Sequence, residues 1–280
     1  MKVSVITPCL NHGRFLEQLI RSVEMQGYRD IEHVVVDGGS SDNSLQVLQQ
    51  HPNVKWVTGV DTGFADAVNH GFMLASGGLL TVQNADDYYS SRCSVQYAVE
   101  AYEKLGNGVV YGGEVMVDET GKMIDTFVPC SFSYTDLLLS REVIPQCSAF
   151  FTREVVDEIG GFDTRCDYYS DCEFFLRAGL HYQIGVFPYL VSCYRVYRNQ
   201  RSRLVDNHLG KRHAMITRFF KEQKLPVDLK KLYRKAVAGA FDWDARKSNV
   251  RTQAVKGWLQ SFIHDPQVRP IRKIGGTVIH

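Results

Sequence analysis

Two adjacent carboxylates follow a short apolar segment in the first third of the chain. They are Asp86 and Asp87, in the sequence Asn-Ala-Asp-Asp. Neighbouring carboxylates repel each other and are costly to bury unless a cation lies between them. Mg²⁺ or Mn²⁺ fits, because such ions bind one or two carboxylates and complete their shell with phosphate oxygens and water. The alternative is that one Asp only caps a helix beginning near Ser90 or Ser91.

Two further acidic segments could contact a nucleotide. Asp37 lies on a glycine-rich turn, Asp-Gly-Gly-Ser-Ser-Asp, where a carboxylate can accept a hydrogen bond from a base or ribose. Turns of this composition are also common without a ligand. Asp66 and Asn69 are three residues apart in a predicted helix and face the same way. A capped helix without a ligand is the alternative reading of that segment.

A fourth acidic segment contains the candidate general base. Asp171 opens a predicted helix, where the helix dipole favours its ionised, basic form. Glu173 and Arg177 in the same helix are four residues apart and predict an ion pair. We therefore expect Asp171 to act as a base, with a simple helix cap as the alternative.

The elements that must position these residues follow an alternating pattern. Apolar segments alternate with helical patterns in the first half, which predicts βαβ units and a mainly parallel sheet. Strands are predicted over residues 3–7, 31–37, 54–58, 79–83, 109–116, 149–151, 184–187 and 190–194. Helices are predicted over residues 15–23, 45–48, 66–75, 94–105, 134–140, 153–159 and 171–178. Pro8 is expected to end the first strand.

Three of the polar residues lie at predicted strand ends. Thr7, Asp37 and Asp86 each close or follow a strand. In open α/β sheets, ligands bind outside the carboxyl ends of the strands. The sequence therefore predicts a single crevice lined by these three residues.

Charge is unevenly distributed along the chain. The net charge is +1, but residues 1–194 carry 12 Lys and Arg against 25 Asp and Glu, whereas residues 195–280 carry 20 against 6. This segregation predicts that the C-terminal part meets an anionic partner, and an anionic membrane surface is one candidate. A solvated helical cap or an oligomer contact is the alternative. Nucleic acid is not expected, because aromatic residues do not alternate with the charges in the pattern of a known module.

The sequence predicts a cytoplasmic protein. The longest apolar segment, residues 184–191, is interrupted by Pro188 and is shorter than the roughly 20 residues that a spanning helix needs. The segment after Met1 is strand-like and lacks the pattern of a secretory signal. Seven cysteines are scattered without a close pair and are expected to be reduced thiols.

Several function classes are disfavoured. A dinucleotide-binding or methyl-donor enzyme would need a glycine-rich fingerprint after the first strand, and the sequence there is Pro-Cys-Leu-Asn-His-Gly. A phosphate-binding P-loop is also missing from the sequence. Nucleotidyl transfer on a related fold stays open, and it would release pyrophosphate. A non-catalytic sugar-binding module is a third reading, against which the acidic candidates Asp37, Asp86, Asp87 and Asp171 argue.

Six short motifs in register carry a family resemblance. They are Thr-Pro with Asn11, Asp-Gly-Gly-Ser-x-Asp at 37–42, Asp-x-Gly-x-x-Asp-Ala-x-Asn-x-Gly at 61–71, Asn-x-Asp-Asp at 84–87, Gly-Gly-Phe-Asp at 160–163 and Asp-x-Glu-x-x-x-Arg at 171–177. Over about residues 1–200 the chain resembles the family 2 glycosyltransferases, which are inverting enzymes of the A-type fold. The resemblance implies an α/β, Rossmann-like sheet flanked by helices and transfer of a sugar from a nucleotide-diphosphate donor to an acceptor hydroxyl on a saccharide or a lipid-linked molecule. By family analogy the product belongs to cell-envelope polysaccharide or glycolipid synthesis.

The resemblance also implies roles for individual residues. The implied nucleotide-sugar-binding positions are Thr7, Pro8, Asn11, Asp37, Asp66, Asn69 and Asp86. Asp87, together with Asp86, would ligate Mg²⁺ or Mn²⁺. Asp171 matches the catalytic base, and Gln146 is similar to a position near the acceptor.

The chain departs from the family pattern at two positions. His70 stands where many relatives have Lys, and Tyr197 stands where they have His. The arginines that could stabilise the departing diphosphate are Arg195, Arg198, Arg201 and Arg203. A solvated basic stretch is the alternative for each of them.

The resemblance and the charge division together predict the domain organisation. A catalytic domain is expected over residues 1–205, with a nucleotide-sugar half of about 1–90 and an acceptor half of about 91–205. A basic helical extension is expected over residues 206–280, in which no internal repeat is visible.

Overall fold

The computed structural model describes residues 1–59, 61–106, 108–203, 210–247 and 264. The chain divides into two compact units. The first comprises Met1–Phe132 and Ile144–Arg198, and the second comprises Ser133–Val143 and the chain from Asn199 onward. The second unit thus also includes residues 133–143, which lie within the domain 1–205 predicted from the sequence. Much of the predicted extension 206–280 lies outside the described residues.

The first unit contains the sheet and most helices. Its strands are β1 (Val3–Cys9), β2 (Ile31–Asp37), β3 (Lys55–Thr58), β4 (Leu79–Val82), β5 (Tyr88–Tyr89), β6 (Val109–Val117), β7 (Met123–Phe127), β8 (Ala149–Thr152) and β9 (Ile184–Arg195). Its α-helices are α1 (Gly13–Glu24), α2 (Ser44–Gln49), α3 (Phe64–Leu74), α4 (Ser94–Leu105), α6 (Arg153–Ile159) and α7 (Ser170–His181). The second unit contains α5 (Tyr134–Leu138), α8 (Lys211–Glu222), α9 (Val227–Lys230) and α10 (Tyr233–Lys247).

The strands form one mixed sheet in the order β3-β2-β1-β4-β8-β6-β9-β5, with β7 paired to β6. Strands β1 to β4 are mutually parallel where they pair. The short strand β8 is antiparallel to both β4 and β6, so β6 and β9 run in the same direction as β4. The carboxyl ends of six strands therefore lie along one edge of the sheet, which is called the carboxyl edge below.

The first strand continues past its expected end. Pro8 was expected to end β1, and this prediction is wrong, because the pairing with β2 continues to Cys9, opposite Asp37. The Ile6 carbonyl accepts from the Gln83 amide on the β4 side, and the Cys9 carbonyl accepts from Gly38 on the β2 side. By this alternation the nitrogen of Pro8 faces the β4 side, where β4 has ended. The missing N–H therefore costs the sheet no hydrogen bond.

The helices cover the sheet through apolar faces of helical spacing. The face of α1 predicted from the sequence is buried, as are the inner positions of α4. These side chains pack against strand residues of β1, β2 and β8 in one hydrophobic cluster. This core fixes the strand ends from which the polar loops project.

Two strands were not predicted. All five residues of β7 are exposed or partly exposed, so no alternation of burial marks it in the sequence. It forms a hairpin with β6 across the turn at residues 118–122, where the Asp118 carboxylate accepts from the Thr120 and Lys122 amides. Strand β5 has two residues and is antiparallel to β9. The strand character predicted at 184–187 and 190–194 belongs to one continuous strand, β9, which includes Pro188.

The second unit is helical in its described part. Apolar side chains of α8 and α10 form its interior, with Met215, Ile216 and Val237 fully buried. Arg212 is also buried; its Nε donates to Ser140 Oγ at 2.8 Å, and its guanidinium lies 4.6 Å from the centroid of the Trp243 ring. Across the described ranges of the chain, no helix combines the length and apolar character that crossing a membrane requires.

Candidate active site

Polar residues from several strands gather at the carboxyl edge of the sheet. Asp37 ends β2, and Asp86 and Asp87 follow β4. Arg195 ends β9, which reaches the same edge because it is parallel to β6. The polar side chains at this edge thus also include one from β9, a strand late in the chain.

The Asp37 carboxylate organises its own loop. Its Oδ2 atom accepts from the Gly39 amide at 3.0 Å, the Ser40 amide at 2.9 Å and Thr58 Oγ1 at 2.6 Å, and its Oδ1 accepts from Ser40 Oγ. The side chain is fully buried. These bonds satisfy most of the acceptor capacity of the carboxylate. Contact between Asp37 and a nucleotide base stays a prediction. The base would have to share the carboxylate with these hydrogen bonds.

The loop after β1 is tied to the Asp37 turn. Asn11 has a positive φ of 56° and an exposed side chain. Its amide donates to Ser40 Oγ at 2.8 Å, and its Oδ1 accepts from the Ser41 amide at 2.8 Å. Thr7 is buried in β1 and shares a 2.9 Å hydrogen bond with His33 Nε2. Asn11 therefore ties the loop after β1 to the Asp37 turn, whereas the Thr7 side chain is bonded within the sheet.

The acidic pair lies one strand further along the edge. Asp86 is 8% exposed and Asp87 is 1% exposed. The Asp87 carboxylate accepts from the Arg195 backbone amide and from Asn84 Nδ2, both at 2.9 Å. Burial and the neighbouring Asp86 charge nevertheless raise the pKa of Asp87 well above its ordinary value. Glu114 adds further negative charge nearby. The site holds more negative charge than its own donors compensate.

Arg195 supports the pair without neutralising it. The guanidinium is buried, with Nε donating to the Asp86 carbonyl at 2.9 Å and Nη1 to the Glu119 carbonyl at 2.9 Å. Nη2 donates to Gln18 Oε1 at 2.6 Å, and the group lies 4.4 Å from the centroid of the Phe15 ring. The expectation that Arg195 could contact a departing diphosphate is therefore wrong, since its donors are used inside the protein.

A tyrosine and a histidine complete the surroundings of Asp86. The Tyr197 hydroxyl donates to Asp86 Oδ2 at 2.9 Å and lies 3.2 Å from His12 Nε2. His12 Nε2 itself is 3.8 Å from Asp86 Oδ2. Burial and the Asp86 charge raise the pKa of Tyr197, so the phenol stays protonated and orients the carboxylate as a donor. Tyr197 takes the place where many relatives of the resembled family have His.

The donor set at the acidic pair fits a hard divalent cation. Asn84 Oδ1 is buried and has no hydrogen-bond partner, although the amide nitrogen of the same side chain is used by Asp87. Two carboxylates and a nearby amide oxygen are ligands that Mg²⁺ and Mn²⁺ accept. Among the described residues, no group of three or more His, Cys, Asp and Glu side chains is arranged to hold a metal alone. Remaining ligands would have to come from substrate phosphate and water.

The two residues predicted on one face of α3 have different partners. Asp66 accepts from the Thr62 amide at 2.9 Å and from Thr62 Oγ1 at 3.0 Å, which closes the first turn of the helix and lowers the pKa of Asp66. Asn69 donates to the Phe162 carbonyl at 2.9 Å and accepts from the Phe162 amide at 2.8 Å. The side-chain amide of Asn69 is thus bonded to the backbone of the Gly-Gly-Phe-Asp motif.

That pairing anchors the segment that leads to Asp171. A Cβ on Gly161 would lie 2.2 Å from Asn69 Oδ1, so the close approach requires glycine. Phe162 packs on Phe72 and Phe174, with ring centroids 5.8 and 5.1 Å away. The Gly-Gly-Phe-Asp segment is therefore held by its packing on α3.

Asp171 lies in the first turn of α7 and is partly exposed. Helix α7 is followed after two residues by β9, which starts at the amino edge of the sheet, where Tyr182 lies beside Gly108. The C-terminal end of α7 is thus at the amino edge, and the closeness of Asp171 to the acidic pair stays a prediction. The predicted Glu173–Arg177 ion pair is present, with Nε to Oε1 at 2.6 Å.

Gln146 lies between β4 and β8. Its Nε2 donates to the Val82 carbonyl at 2.9 Å at the carboxyl end of β4. Gln83, which follows Val82 in the sequence, donates to the Cys147 carbonyl at 2.9 Å and to Ser192 Oγ at 2.6 Å. Gln146 is therefore at the predicted edge, one strand from the acidic pair, and its role toward an acceptor stays a prediction.

Sequence analysis missed parts of this site. Asn84 was noted only as part of a motif and His12 only as part of a loop, and neither was expected to face the acidic pair. Tyr197 was noted as a departure, without the contact to Asp86. Asp61 lies against the Asp37 turn, because a Cβ on Gly38 would be 2.7 Å from its Oδ2. A signal was available only for Asp61, which opens the same motif as Asp66.

A Rossmann-like sheet with a buried acidic pair after a central strand is the arrangement of an A-type glycosyltransferase. The chain belongs to glycosyl transferase family 2, whose model matches residues 4–160. It is a glycosyltransferase, and the α/β fold with a mainly parallel sheet flanked by helices, predicted from the sequence, is confirmed.

Similar proteins support this placement. An uncharacterized glycosyltransferase of Mycobacterium tuberculosis is 36% identical over 181 residues, which cover 64% of this chain and 69% of that protein. A PGL/p-HBAD biosynthesis glycosyltransferase of Mycobacterium bovis is 29% identical over 224 residues, covering 77% of this chain and 85% of that protein.

Solved structures show the same fold at low identity. TarS 1-349 of S. aureus in complex with UDP-GlcNAc has a TM-score of 0.69 and 17% identity, covering 94% of this chain and 80% of that one. The mannosyltransferase PcManGT of Pyrobaculum calidifontis, in complex with GDP-Man and Mn²⁺, has a TM-score of 0.60 and 19% identity, covering 95% and 81%.

Proposed function

We propose that this glycosyltransferase is an inverting, metal-dependent enzyme that transfers a sugar from a nucleoside-diphosphate donor to an acceptor hydroxyl. One observation carries the proposal: Asp86 and Asp87 are buried side by side at the carboxyl edge, with the pKa of Asp87 raised well above its ordinary value. Keeping such a pair is unfavourable for a protein that never binds a cation there. The complexes of TarS with UDP-GlcNAc and of PcManGT with GDP-Man and Mn²⁺ add support by fold.

The roles of the donor-side residues follow from their positions. Thr7, Pro8, Asn11 and Asp37 would form the nucleotide-binding part, since Thr7 and Pro8 lie near the end of β1 and Asn11 is bonded to the Asp37 turn at the end of β2. Asp66 and Asn69 would support that pocket through the segments they fix.

The metal would be held by Asp87 and Asp86; Asn84, whose Nδ2 donates to Asp87 and whose Oδ1 has no partner among the described residues, would offer a further oxygen. When bound, Mg²⁺ or Mn²⁺ supplies positive charge that stabilises the nucleoside diphosphate as it departs. Tyr197 holds Asp86 in its orientation by donating to Oδ2. Arg195 holds the backbone of the pair in place through the Asp86 carbonyl.

The transfer itself would be a single displacement. Asp171 takes the proton of the acceptor hydroxyl while that oxygen forms its bond to the anomeric carbon. The bond from this carbon to the diphosphate oxygen breaks, and the nucleoside diphosphate keeps the bonding electrons. The configuration at the anomeric carbon inverts. The helix dipole at the start of α7 favours the ionised carboxylate that this step requires.

The biological setting is inferred from a relative. The name of the M. bovis relative refers to PGL/p-HBAD biosynthesis, and we infer an acceptor in cell-envelope polysaccharide or glycolipid synthesis. Gln146 would lie near that acceptor. A cytoplasmic location completes this proposal.

Incubation with a panel of nucleotide sugars, with Mn²⁺ or with EDTA, tests the reaction. We expect Mn²⁺-dependent release of a nucleoside diphosphate. Release of pyrophosphate would instead identify a nucleotidyltransferase, and donor binding without release of either product in the presence of candidate acceptors would favour a sugar-binding module. The anomeric configuration of the product, read by NMR, tests inversion.

Replacement of Asp171 by Asn tests the base. Transfer should be abolished while binding of the donor is retained, because the residue contacts the acceptor proton and not the diphosphate. The matched control is Asp157→Asn, an exposed carboxylate on α6, which should leave both properties unchanged. Loss of donor binding in Asp171→Asn would contradict the assignment.

A further inference from the structure

The connection between α8 and α10 carries a dense group of positive charges. This segment, residues 221–235, is called the basic tip. Its cationic residues, all exposed, are Lys221, Lys224, Lys230, Lys231, Arg234 and Lys235. Glu222 and Asp228 are its acidic residues, so the tip carries a net charge of +4 over 15 positions. The tip thus holds 4 of the 14 net positive charges of residues 195–280, within the connection between two helices.

Most of these cations have no acidic partner. Lys231 lies 3.4 Å from Asp228, and both side chains are more than two thirds exposed. Within the described part of the chain, the other five cations of the tip form no ion pair. Like charges held this close raise the energy of the free surface, and an anionic partner would lower it.

Apolar side chains are exposed among the charges. Val227 is 69% exposed at the start of α9, directly after Pro226. Tyr233 is 37% exposed, and its ring packs on Phe220 with centroids 5.2 Å apart. An exposed aliphatic residue and a packed aromatic ring do not help to bind a small anion. Their transfer from water into the headgroup region of a bilayer is favourable.

Lysine and arginine suit the same surface. Their long apolar stems can lie along the acyl boundary while the charged ends reach lipid phosphates. A nucleic-acid surface would instead favour several aromatic rings among the cations to stack on bases. The tip has one, Tyr233, and this ring is partly covered by Phe220.

We propose that the basic tip binds the surface of a membrane that contains anionic phospholipid, with the lysines and Arg234 on the phosphates and Val227 at the acyl boundary. This proposal stands on the second unit alone and does not depend on the reaction proposed above.

Cosedimentation of the full-length protein with vesicles tests it. The vesicles contain phosphatidylcholine alone or phosphatidylcholine mixed with phosphatidylglycerol, at about 0.1 M and about 1 M NaCl. We expect binding to the anionic vesicles at low salt, and a large decrease at high salt. Phosphatidylcholine alone should bind little protein.

Two variants locate the binding surface. The triple variant K224Q, K230Q and K235Q should bind anionic vesicles roughly 100-fold more weakly, because each surface cation contributes to the attraction. Its control is R29Q, K104Q and K122Q, which removes three exposed cations from the first unit. Val227→Ser should weaken binding roughly ten-fold, whereas Met73→Ser, at a position that is 73% exposed in α3, should not.

Circular dichroism confirms that each variant is folded before binding is compared. The proposal is overturned if the wild-type protein does not bind anionic vesicles at low salt. It is equally overturned if both triple variants bind like the wild-type protein, or if the protein binds a labelled single-stranded RNA through the tip and binds no vesicles.

Discussion

The two edges of the sheet treat a buried carboxylate in opposite ways. At the amino edge, Glu32 at the start of β2 is 8% exposed and accepts from Ser4 Oγ at 2.6 Å, Lys55 Nζ at 2.7 Å and the Ser76 amide at 2.5 Å. Burial would raise the pKa of Glu32, but the bonds from Lys55, Ser4, Ser76 and Lys2 outweigh it, and the pKa is lowered. At the carboxyl edge, Asp87 is 1% exposed, and its deeper burial together with the Asp86 charge raises its pKa.

The different surroundings of Glu32 and Asp87 indicate a structural role for the first and a functional role for the second. A carboxylate surrounded by the chain's own cations and donors stabilises the protein and has little capacity for a ligand. A carboxylate that is buried beside another one costs stability unless something from outside compensates it. Under the proposed function, the carboxyl edge is therefore where a cation and a diphosphate would bind, and the following predictions test this contrast.

The largest effect is expected for Asp87→Asn. The variant should release nucleoside diphosphate from its donor roughly 100- to 1,000-fold more slowly, because charge stabilisation at the departing group is lost. Steady-state rates with the donor found in the panel experiment measure this. The matched variant Glu32→Gln should keep the rate per folded molecule, and a comparable loss in it would remove the contrast between the two edges.

Stability should respond in the reverse manner. Glu32→Gln is expected to lower the free energy of unfolding by about 3 kcal/mol, since Lys55 and Lys2 lose their buried partner. Urea unfolding followed by circular dichroism measures the change. Glu17→Gln is the control, because Glu17 pairs with Arg21 on the exposed face of α1 and should change the value by less than about 0.5 kcal/mol. Equal effects of the two variants would contradict the account.

The Glu32 contribution should depend on pH. The pKa of Glu32 is lowered in the folded state from an ordinary value of 4.5, so its stabilisation is fully present above that pH. As the pH falls below 4.5 toward the folded-state pKa, the wild-type protein should lose stability faster than Glu32→Gln. Urea midpoints of the two proteins measured across this range should converge. Midpoints that stay equally far apart throughout the acidic range would show that the charge of Glu32 is not what stabilises the protein.

Asp87→Asn should stabilise the protein although it slows turnover. At neutral pH we expect a gain in the free energy of unfolding, because the raised pKa of Asp87 means that the folded state disfavours its charge. Thermal and urea unfolding without added metal measure this gain. A clear loss of stability would indicate that Asp87 is held like Glu32.

The smallest effect is expected for Tyr197→Phe. Asp86 would lose one donor, and Mn²⁺-dependent binding of UDP or GDP should weaken about five-fold. Isothermal titration measures it. Tyr189→Phe, which removes the hydroxyl of a 48% exposed ring that stacks on Tyr97, is the control. Unchanged binding in Tyr197→Phe would show that the phenol does not position the carboxylate.

The parallel half of the fold could be predicted because its signals are local. Buried strands and amphipathic helices alternate there, and the bounds predicted for α4 and α6 agree with the structure. Strand β7 could not be predicted, because its Met-Ile-Asp-Thr-Phe sequence is exposed on both faces and depends on β6 for its pairing. The extension of β1 past Pro8 could not be predicted either, because it depends on which side of the strand lacks a neighbouring strand at that point.

The site divides in the same way. An adjacent pair of Asp residues after an apolar strand is visible in the sequence, and its position is as expected. The contacts of Asp86 with Tyr197 and of Asp87 with the Arg195 amide join residues more than 100 positions apart. They depend on the register of β9, which no local pattern reports. The partner of Asn69 was hidden for the same reason.

Binding of Mn²⁺ and nucleoside diphosphate tests the central claim most directly. Isothermal titration of UDP and of GDP into the wild-type protein and Asp87→Asn, each with Mn²⁺ and with EDTA, compares the four conditions. The account predicts tight binding of one nucleotide only to the wild-type protein with Mn²⁺. Binding that is equal in Asp87→Asn, or equal in EDTA, would contradict it.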